Sequence, residues 1–285
     1  MTLPPPAAVV AGVAVECRTD DPAVARRFSC LAPPSAAVPG APRQVYDIRR
    51  DPAGHLVVAT DHLHLARTPH PDNAIAAVEL DVRRAAERHH PGSIWLHAAG
   101  LARDDGRALL CIGASGTGKS TASFALLDAG WRYLADDAVL LDPVDRSLVG
   151  VGWPLRLAAL PAPREDLIAA GFTITETQWV CGDGRIIGSL RLSPPPALAW
   201  NNLSPPRLDH CLFLERGPLA IEPLSPGQAL LRLWPQRVRR SDGREPGEPG
   251  ALAARLAGVS FAVLRTARID QIAPAVAAWI GERRT

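Results

Sequence analysis

The chain is short of lysine, of paired cysteines and of long apolar runs. All but one of its 31 basic side chains are arginine, and the exception is Lys119. A formal net charge of +2 over 285 residues, with no basic stripe interleaved with aromatics, excludes nucleic acid as an expected partner. The five cysteines, Cys17, Cys30, Cys111, Cys181 and Cys211, are scattered without a CxxC pair. That pattern supports neither a zinc site nor a disulfide framework. No apolar run approaches the roughly 20 residues that span a bilayer, so no membrane partner is expected. The start, "MTLPPPAAVVAGVAVECRTD", has no basic n-region, and its prolines interrupt a signal-peptide core. A cytoplasmic protein is the expectation. An apolar share of 47% with 21% charged residues describes an ordinary globular chain, long enough for one large domain or two smaller ones.

The first seventy or so residues read as a small strand-rich module. "QVYDIRRDPAGHLVVATDHLHLART" alternates apolar and polar positions on both sides of "DPAG", a hairpin pattern. A helix is expected from about Asp72 to His90, with Ile75, Val78, Leu80, Val82 and Ala86 on its apolar face. "SIWLHAAGLARDDGRALLCIG" then gives two apolar runs around "DDG", a second hairpin. With Asp104, Asp105 and Gly106 as its loop, Arg103 pairs with Arg107 and His97 falls opposite Gly113; a two-residue loop moves the partner to Ala114. From Val151 to Pro226 the proline-rich chain predicts short strands and loops. "RVRRSDGREPGEPG" (Arg237–Gly250) reads as a mobile loop, and helices are expected over "ALAARLAG" and "DQIAPAVAAWIGERR". The expected domains are residues 1–72 and 73–285.

The lone lysine stands in "CIGASGTGKST". Gly113, Gly118, Lys119 and Ser120 fit G-x-x-x-x-G-K-[ST], after a predicted strand and before a predicted helix. Glycines let the backbone wrap closely around phosphate oxygens, and the amides of Gly113, Ser115, Gly116, Thr117, Gly118, Lys119, Ser120 and Thr121 would face the anion. The ammonium of Lys119 reaches β/γ-phosphates as a compact point charge, where arginine's planar fork fits poorly. Ser120 would help to hold Mg²⁺.

A second signal is the pair Asp136–Asp137 in "WRYLADDAVLL". A helix from Ser120 to about Ala129 travels roughly 15 Å from the loop. A strand from Trp131 to Ala135 returns about 16 Å. Both carboxylates therefore come back beside the phosphate loop, where one can serve a metal and the other accept a hydroxyl proton.

The stretch from Trp95 to Leu141 resembles the catalytic core of bacterial HPr kinase/phosphorylase and its smaller relatives, some encoded with lasso-peptide and other ribosomal-peptide pathways. The resemblance lies in the order of parts: histidine, hairpin, phosphate loop, helix, glycine and aspartate pair. It implies an α/β fold with a mixed sheet, a nucleotide-binding core like that of phosphoenolpyruvate carboxykinase, and the small N-terminal module beside it. It also implies ATP and Mg²⁺ as cofactors, Asp136 as general base, Ser120 with Asp137 at the metal, and His97 lining the site. Adjacent carboxylates can exchange such roles. The chain departs from HPr kinase/phosphorylase in lacking a glycine-rich segment after the aspartates and in its short N-terminal module. Both departures fit the stand-alone relatives, for which a peptide is the suspected substrate.

Other candidates have simpler readings beside the functional one. Arg156 is a candidate phosphate or substrate contact, or a residue at a strand edge. Arg232, Arg237, Arg239 and Arg240 would steer an acidic peptide or form a solvated loop. His62 and His64 have zinc-compatible spacing on one strand but no third ligand nearby. The expected activity is ATP- and Mg²⁺-dependent serine-kinase chemistry on a peptide or small protein, a lasso-type precursor peptide being the favoured class; a homo-oligomer is compatible with the sequence. The alternatives are an HPr-type protein serine kinase, a conventional P-loop NTPase or small-molecule kinase on a parallel sheet, and a nucleotide-binding accessory protein without phosphotransfer.

Overall fold

Alternating apolar residues on either side of Asp51–Gly54 build an antiparallel hairpin, and longer apolar runs further on build buried strands. The computed structural model describes residues 7–31, 42–181, 183–200, 204–240, 243, 252–253, 256–266 and 268–282. The chain begins with β1 (Ala7–Val10), β2 (Val13–Thr19), α1 (Pro22–Leu31), β3 (Arg43–Arg50), β4 (Leu56–Ala59), β5 (His64–Thr68) and α2 (Pro71–His89). Next come β6 (Ile94–Leu96), β7 (Ala98–Ala102), β8 (Arg107–Ile112), α3 (Lys119–Asp128), β9 (Arg132–Ala135), β10 (Val139–Leu141) and β11 (Leu148–Gly150). They are followed by β12 (Leu155–Leu157), α4 (Arg164–Ala169), β13 (Thr173–Val180) and β14 (Ile186–Ser193). The remaining elements are β15 (Arg207–Glu215), β16 (Ala220–Pro223), α5 (Pro226–Leu233), β17 (Ser260–Arg265) and α6 (Ile272–Glu282).

Two compact units result: Met1–Pro91 with Arg156–Pro196, and Gly92–Leu155 with Ala197–Thr285. The division differs from a boundary at residue 72, and the side chains of α2 supply the reason. Asp72 binds Arg27 at 2.6 Å and accepts from the Gln178 amide at 3.1 Å, while the Asn73 amide group pairs with both the N–H and the carbonyl of Val180. The start of α2 thus satisfies backbone groups on the outer edge of β13, so the hairpin β13–β14 belongs with the N-terminal sheet.

In this first unit the sheet order is β1-β2-β3-β4-β5. Tyr46, Ile48, Leu56 and Val58 are buried on the sheet, as are Val24 and Phe28 of α1 and Ile75, Val78, Val82 and Ala86 of α2. Leu80 is 50% exposed, against expectation. It stands five residues after Ile75, on the far side of a 3.6-residue turn, whereas offsets of 3, 7 and 11 keep the other positions on one face.

The second unit holds a six-stranded sheet in the order β16-β17-β15-β8-β7-β9 and a small one, β11-β10-β6. Strands β17, β15 and β8 are mutually parallel, while β7, β9 and β16 run antiparallel to their neighbours. The sheet is therefore mixed, which removes the expectation attached to a conventional parallel P-loop domain. The β7–β8 hairpin takes the three-residue loop, with Ala98 opposite Ile112 and the Arg103 amide bonded to the Arg107 carbonyl. The mobile loop expected over Arg237–Gly250 lies largely outside the described residues, as does part of "ALAARLAG". Among the described residues no helix is long and apolar enough to cross a membrane.

One glycine is fixed by close approach. A Cβ on Gly150 would run into the backbone carbonyl of Leu134, two residues before the acidic pair. We expect Gly150→Ala to lower stability by about 1–3 kcal/mol, read as a lower urea midpoint for the second unit.

Candidate phosphate-binding site

The apolar run Arg107–Ile112 makes β8 a fully interior strand, and the loop at its end turns directly into α3. The loop needs its glycines for separate reasons. A Cβ on Gly113 would collide with the Thr117 hydroxyl and press on the Leu214 carbonyl. Gly116 and Gly118 hold φ of 80° and 104°, a region that side chains disfavour. The Thr117 hydroxyl closes the loop by donating to the Ala114 carbonyl at 2.8 Å. Gly118 is the N-cap of α3 and offers no side-chain cap, so the first amides of the helix are donors that an anion could satisfy.

Lys119, the first residue of α3, is 8% exposed. Its ammonium donates to the Gly113 carbonyl and to His97 Nε2, each at 2.9 Å. His97 Nδ1 lies 3.0 Å from a carboxylate oxygen of Asp137. A carboxylate only accepts, so in the neutral ring Nδ1 carries the hydrogen and Nε2 is the acceptor for Lys119. Burial pulls the lysine pKa below its ordinary value, and the carboxylates of Asp137 and Asp136 oppose that shift.

The acidic pair divides by environment. Asp136 is 2% exposed and accepts a 2.7 Å hydrogen bond from the Ser120 hydroxyl. Asp137 is half exposed and sits at φ 76°, a left-handed conformation that a non-glycine residue adopts only when held there. The juxtaposition that sequence suggested, Ser120 with Asp137, is therefore Ser120 with Asp136, while Asp137 faces His97. The hairpin brings His97 to the loop because its register puts Ala98 beside Ile112. The neighbouring Cys111 thiol is pushed up to about 12 by burial, which leaves it inert as a nucleophile.

Arg156 belongs to the first unit, where its guanidinium stacks 4.7 Å from the Trp179 ring centroid. Arg232 pairs with Glu215 at 2.6 Å, Arg237 stacks on Trp234, and Arg240 is buried. His64 opens β5, whereas His62 lies in the preceding turn. Among the described residues no group of three His, Cys, Asp or Glu side chains is placed to hold a metal ion.

Sequence reasoning missed a cleft of about 290 Å³ beside the loop, lined by Thr117 and Thr121 together with Leu214, Glu215, Arg216 and Ile269. Arg216 donates from its guanidinium to the Gly116 carbonyl at 2.7 Å. These residues sit at or after the ends of parallel strands that are remote in sequence, so no local motif marks them. The available signal was the pair of apolar runs "CLFLE" and "FAVLR", each ending in a charged residue.

No family model and no curated protein matches the chain. Among solved structures, the Hpr(Ser) kinase/phosphatase from Coxiella burnetii is similar at a TM-score of 0.30 and 15% identity, over 67% of this chain and 95% of that one. The geometry of the site, rather than a likeness of that size, is what bears on chemistry.

The lowered lysine pKa makes a stability prediction. Below the folded-state pKa, the buried charge costs the native state in full. As pH rises toward the ordinary value of 10.5, the native state sheds the proton first and the cost is relieved. Lys119→Met is expected to raise the thermal midpoint at pH 7, with the gap to the parent protein narrowing as the pH is raised toward 10.5. A gap that widens with pH would contradict the assignment.

Proposed function

We propose that the protein is an ATP- and Mg²⁺-dependent kinase that transfers a γ-phosphoryl group to a serine- or threonine-type hydroxyl of a peptide or small protein. The observation that carries this reading is the convergence of Lys119, Ser120, Asp136, Asp137 and His97 at one glycine-rich helix start. The mixed sheet with a hairpin before the loop supports a core of the phosphoenolpyruvate-carboxykinase kind. A lasso-type precursor peptide is the acceptor class we favour, on the resemblance of Trp95–Leu141.

The residues fit each demand of phosphoryl transfer. Loop amides and Lys119 would take the β/γ-phosphates, an exchange in which phosphate oxygens replace the Gly113 carbonyl and His97 Nε2 as acceptors. Mg²⁺ favours hard oxygen ligands and keeps water and substrate phosphate in its shell, so the Ser120 hydroxyl beside Asp136 suits it. When bound, the ion would neutralise charge on the β- and γ-oxygens. This division assigns Asp136 to the metal side and leaves Asp137, exposed and oriented by His97, as the proton acceptor. The acceptor hydroxyl gives its proton to that carboxylate, its oxygen forms the new bond to the γ-phosphorus, and the bond to the β–γ bridging oxygen breaks to release ADP.

Incubation with ATP, Mg²⁺ and peptides encoded beside the gene, read by mass spectrometry, tests the reading. Phosphate is expected on a hydroxyl side chain. Asp137→Asn should slow transfer by about 10²–10⁴ with nucleotide affinity nearly intact, and Lys119→Ala should lose nucleotide. Robust nucleotide binding with no phosphate on any such peptide would overturn the peptide-kinase reading. If instead Asp136→Asn spares Mg²⁺-dependent ATP binding while Asp137→Asn abolishes it, the two carboxylates have the opposite roles.

A further inference from the structure

His97 is the single residue between β6 and β7, so it stands where the chain leaves the small sheet for the six-stranded one. On one side β7 pairs Ala98 with Ile112, and on the other β6 pairs Leu96 with Val139, two residues after Asp137. A three-residue strand held along one edge alone would be a loose support for a side chain that meets both Lys119 and Asp137. The second edge is closed from far away in sequence. Gln236–Val238 lies antiparallel to β6, with Arg237 opposite Leu96. The His97 amide donates to the Gln236 carbonyl at 2.8 Å, and the Val238 amide donates to the Trp95 carbonyl at 2.9 Å.

Helix α5 delivers this segment. Ser225 and Gln228 close a capping box at its start, and Ala229 and Leu233 anchor it in the core of the second unit. The helix runs into a single 3₁₀ turn, Trp234–Gln236, and Arg237 ends that turn in extended conformation at φ −65° and ψ 134°. A helix end leaves carbonyls that need donors, and that of Trp234 is one of them. Arg237 supplies two: its own amide at 3.3 Å and its side-chain Nε at 3.0 Å. Its guanidinium lies over the Trp234 ring, which itself packs against the core. The arginine thus folds back on the turn and fixes the point where helix gives way to strand. The Gln236 carbonyl that meets His97 is the one just before that point.

We propose that Arg237 is a positioning residue for His97. By holding the turn Trp234–Gln236 it keeps the Gln236 carbonyl on the His97 amide, and through that backbone bond it keeps Nδ1–H toward Asp137 and Nε2 toward Lys119. Its effect on rate rests on the kinase reading; its effect on His97 does not.

Amide hydrogen exchange and ring ¹⁵N NMR of His97 in the full chain test this, together with kcat and KM for ATP and the acceptor peptide. In the parent protein the His97 amide should be protected and its ring should show one tautomer, with the hydrogen on Nδ1. Arg237→Ala should speed exchange at His97 about tenfold or more, with the interior strand β8 still protected, and should mix the ring tautomers. Its kcat should fall about tenfold with both KM values within about twofold of the parent. Arg237→Lys keeps the charge but loses the planar fork; it should shift exchange and kcat in the same direction, and it carries the test if Arg237→Ala does not fold. An unprotected His97 amide in the parent protein would overturn the proposal, as would variants with parental exchange, tautomer and kcat. A rise confined to the acceptor KM in Arg237→Ala and restored in Arg237→Lys would overturn it too, since the arginine would then serve the acceptor as a charge. A parent protein that transfers no phosphate would count against the kinase reading, and exchange and tautomer would still decide whether Arg237 positions His97.

Discussion

Lys119 is a buried residue, and a charge so placed is tolerated only where oxygen and nitrogen acceptors replace its lost hydration. Two acceptors do so, the Gly113 carbonyl and His97 Nε2. Each imposes a condition on the chain around it. The carbonyl belongs to a loop that turns back on itself through Gly116 and Gly118 at positive φ. The imidazole presents Nε2 only because Asp137 holds the other nitrogen. The loop glycines, the histidine and the exposed aspartate are therefore parts of one electrostatic arrangement, centred on a cation that a bound polyphosphate would satisfy better. A cation held in this way is costly to stability, and the proposed phosphate binding would offset that cost.

Topology brings these parts together with little room for variation. The β7–β8 hairpin has a fixed register, so the residue before β7 is delivered to the residue after β8, which is how His97 meets the loop. Helix α3 carries the chain away and β9 carries it back over a similar distance, so the acidic pair returns to the helix start. β9 reaches the sheet edge by pairing with β7, on the side away from β15. The aspartates and the histidine therefore stand on one flank of the loop, and the cleft on the β15 side forms the other. A substrate held by the loop would be reached from both.

Much of this was legible in sequence, for identifiable physical reasons. The glycine-rich turn between strand and helix, the hairpin register and the return of Asp136–Asp137 follow from local rules: glycine dihedrals, two-residue alternation and rise per residue. What sequence could not resolve depended on orientation or on remote contact. Adjacent aspartates differ in environment only once the turn at Asp137 takes a left-handed conformation, after which the chain enters the small sheet at Val139. The cleft residues Leu214–Arg216 and Thr266 are nearly a hundred or more residues from the loop and meet it only through parallel pairing. The placement of residues 156–196 with the N-terminal sheet rests on Asp72 and Asn73 capping a strand edge, and no composition shift announces such a contact.

The arginine-rich composition gains a physical meaning from these contacts. Arginine elsewhere in the chain does what its planar fork does well, gripping a carboxylate with two nitrogens: Arg27 on Asp72, Arg132 on Asp104 and Arg268 on Asp270. The acceptors around Lys119 have another geometry. A carbonyl oxygen and an imidazole nitrogen belong to separate chain segments, and each sits 2.9 Å from one nitrogen. A tetrahedral ammonium on a flexible stem can serve both and then turn to phosphate oxygens, whereas a rigid fork must commit its donors to one plane. Lysine is therefore the one basic side chain that fits this position, and replacing it with arginine is not a conservative change.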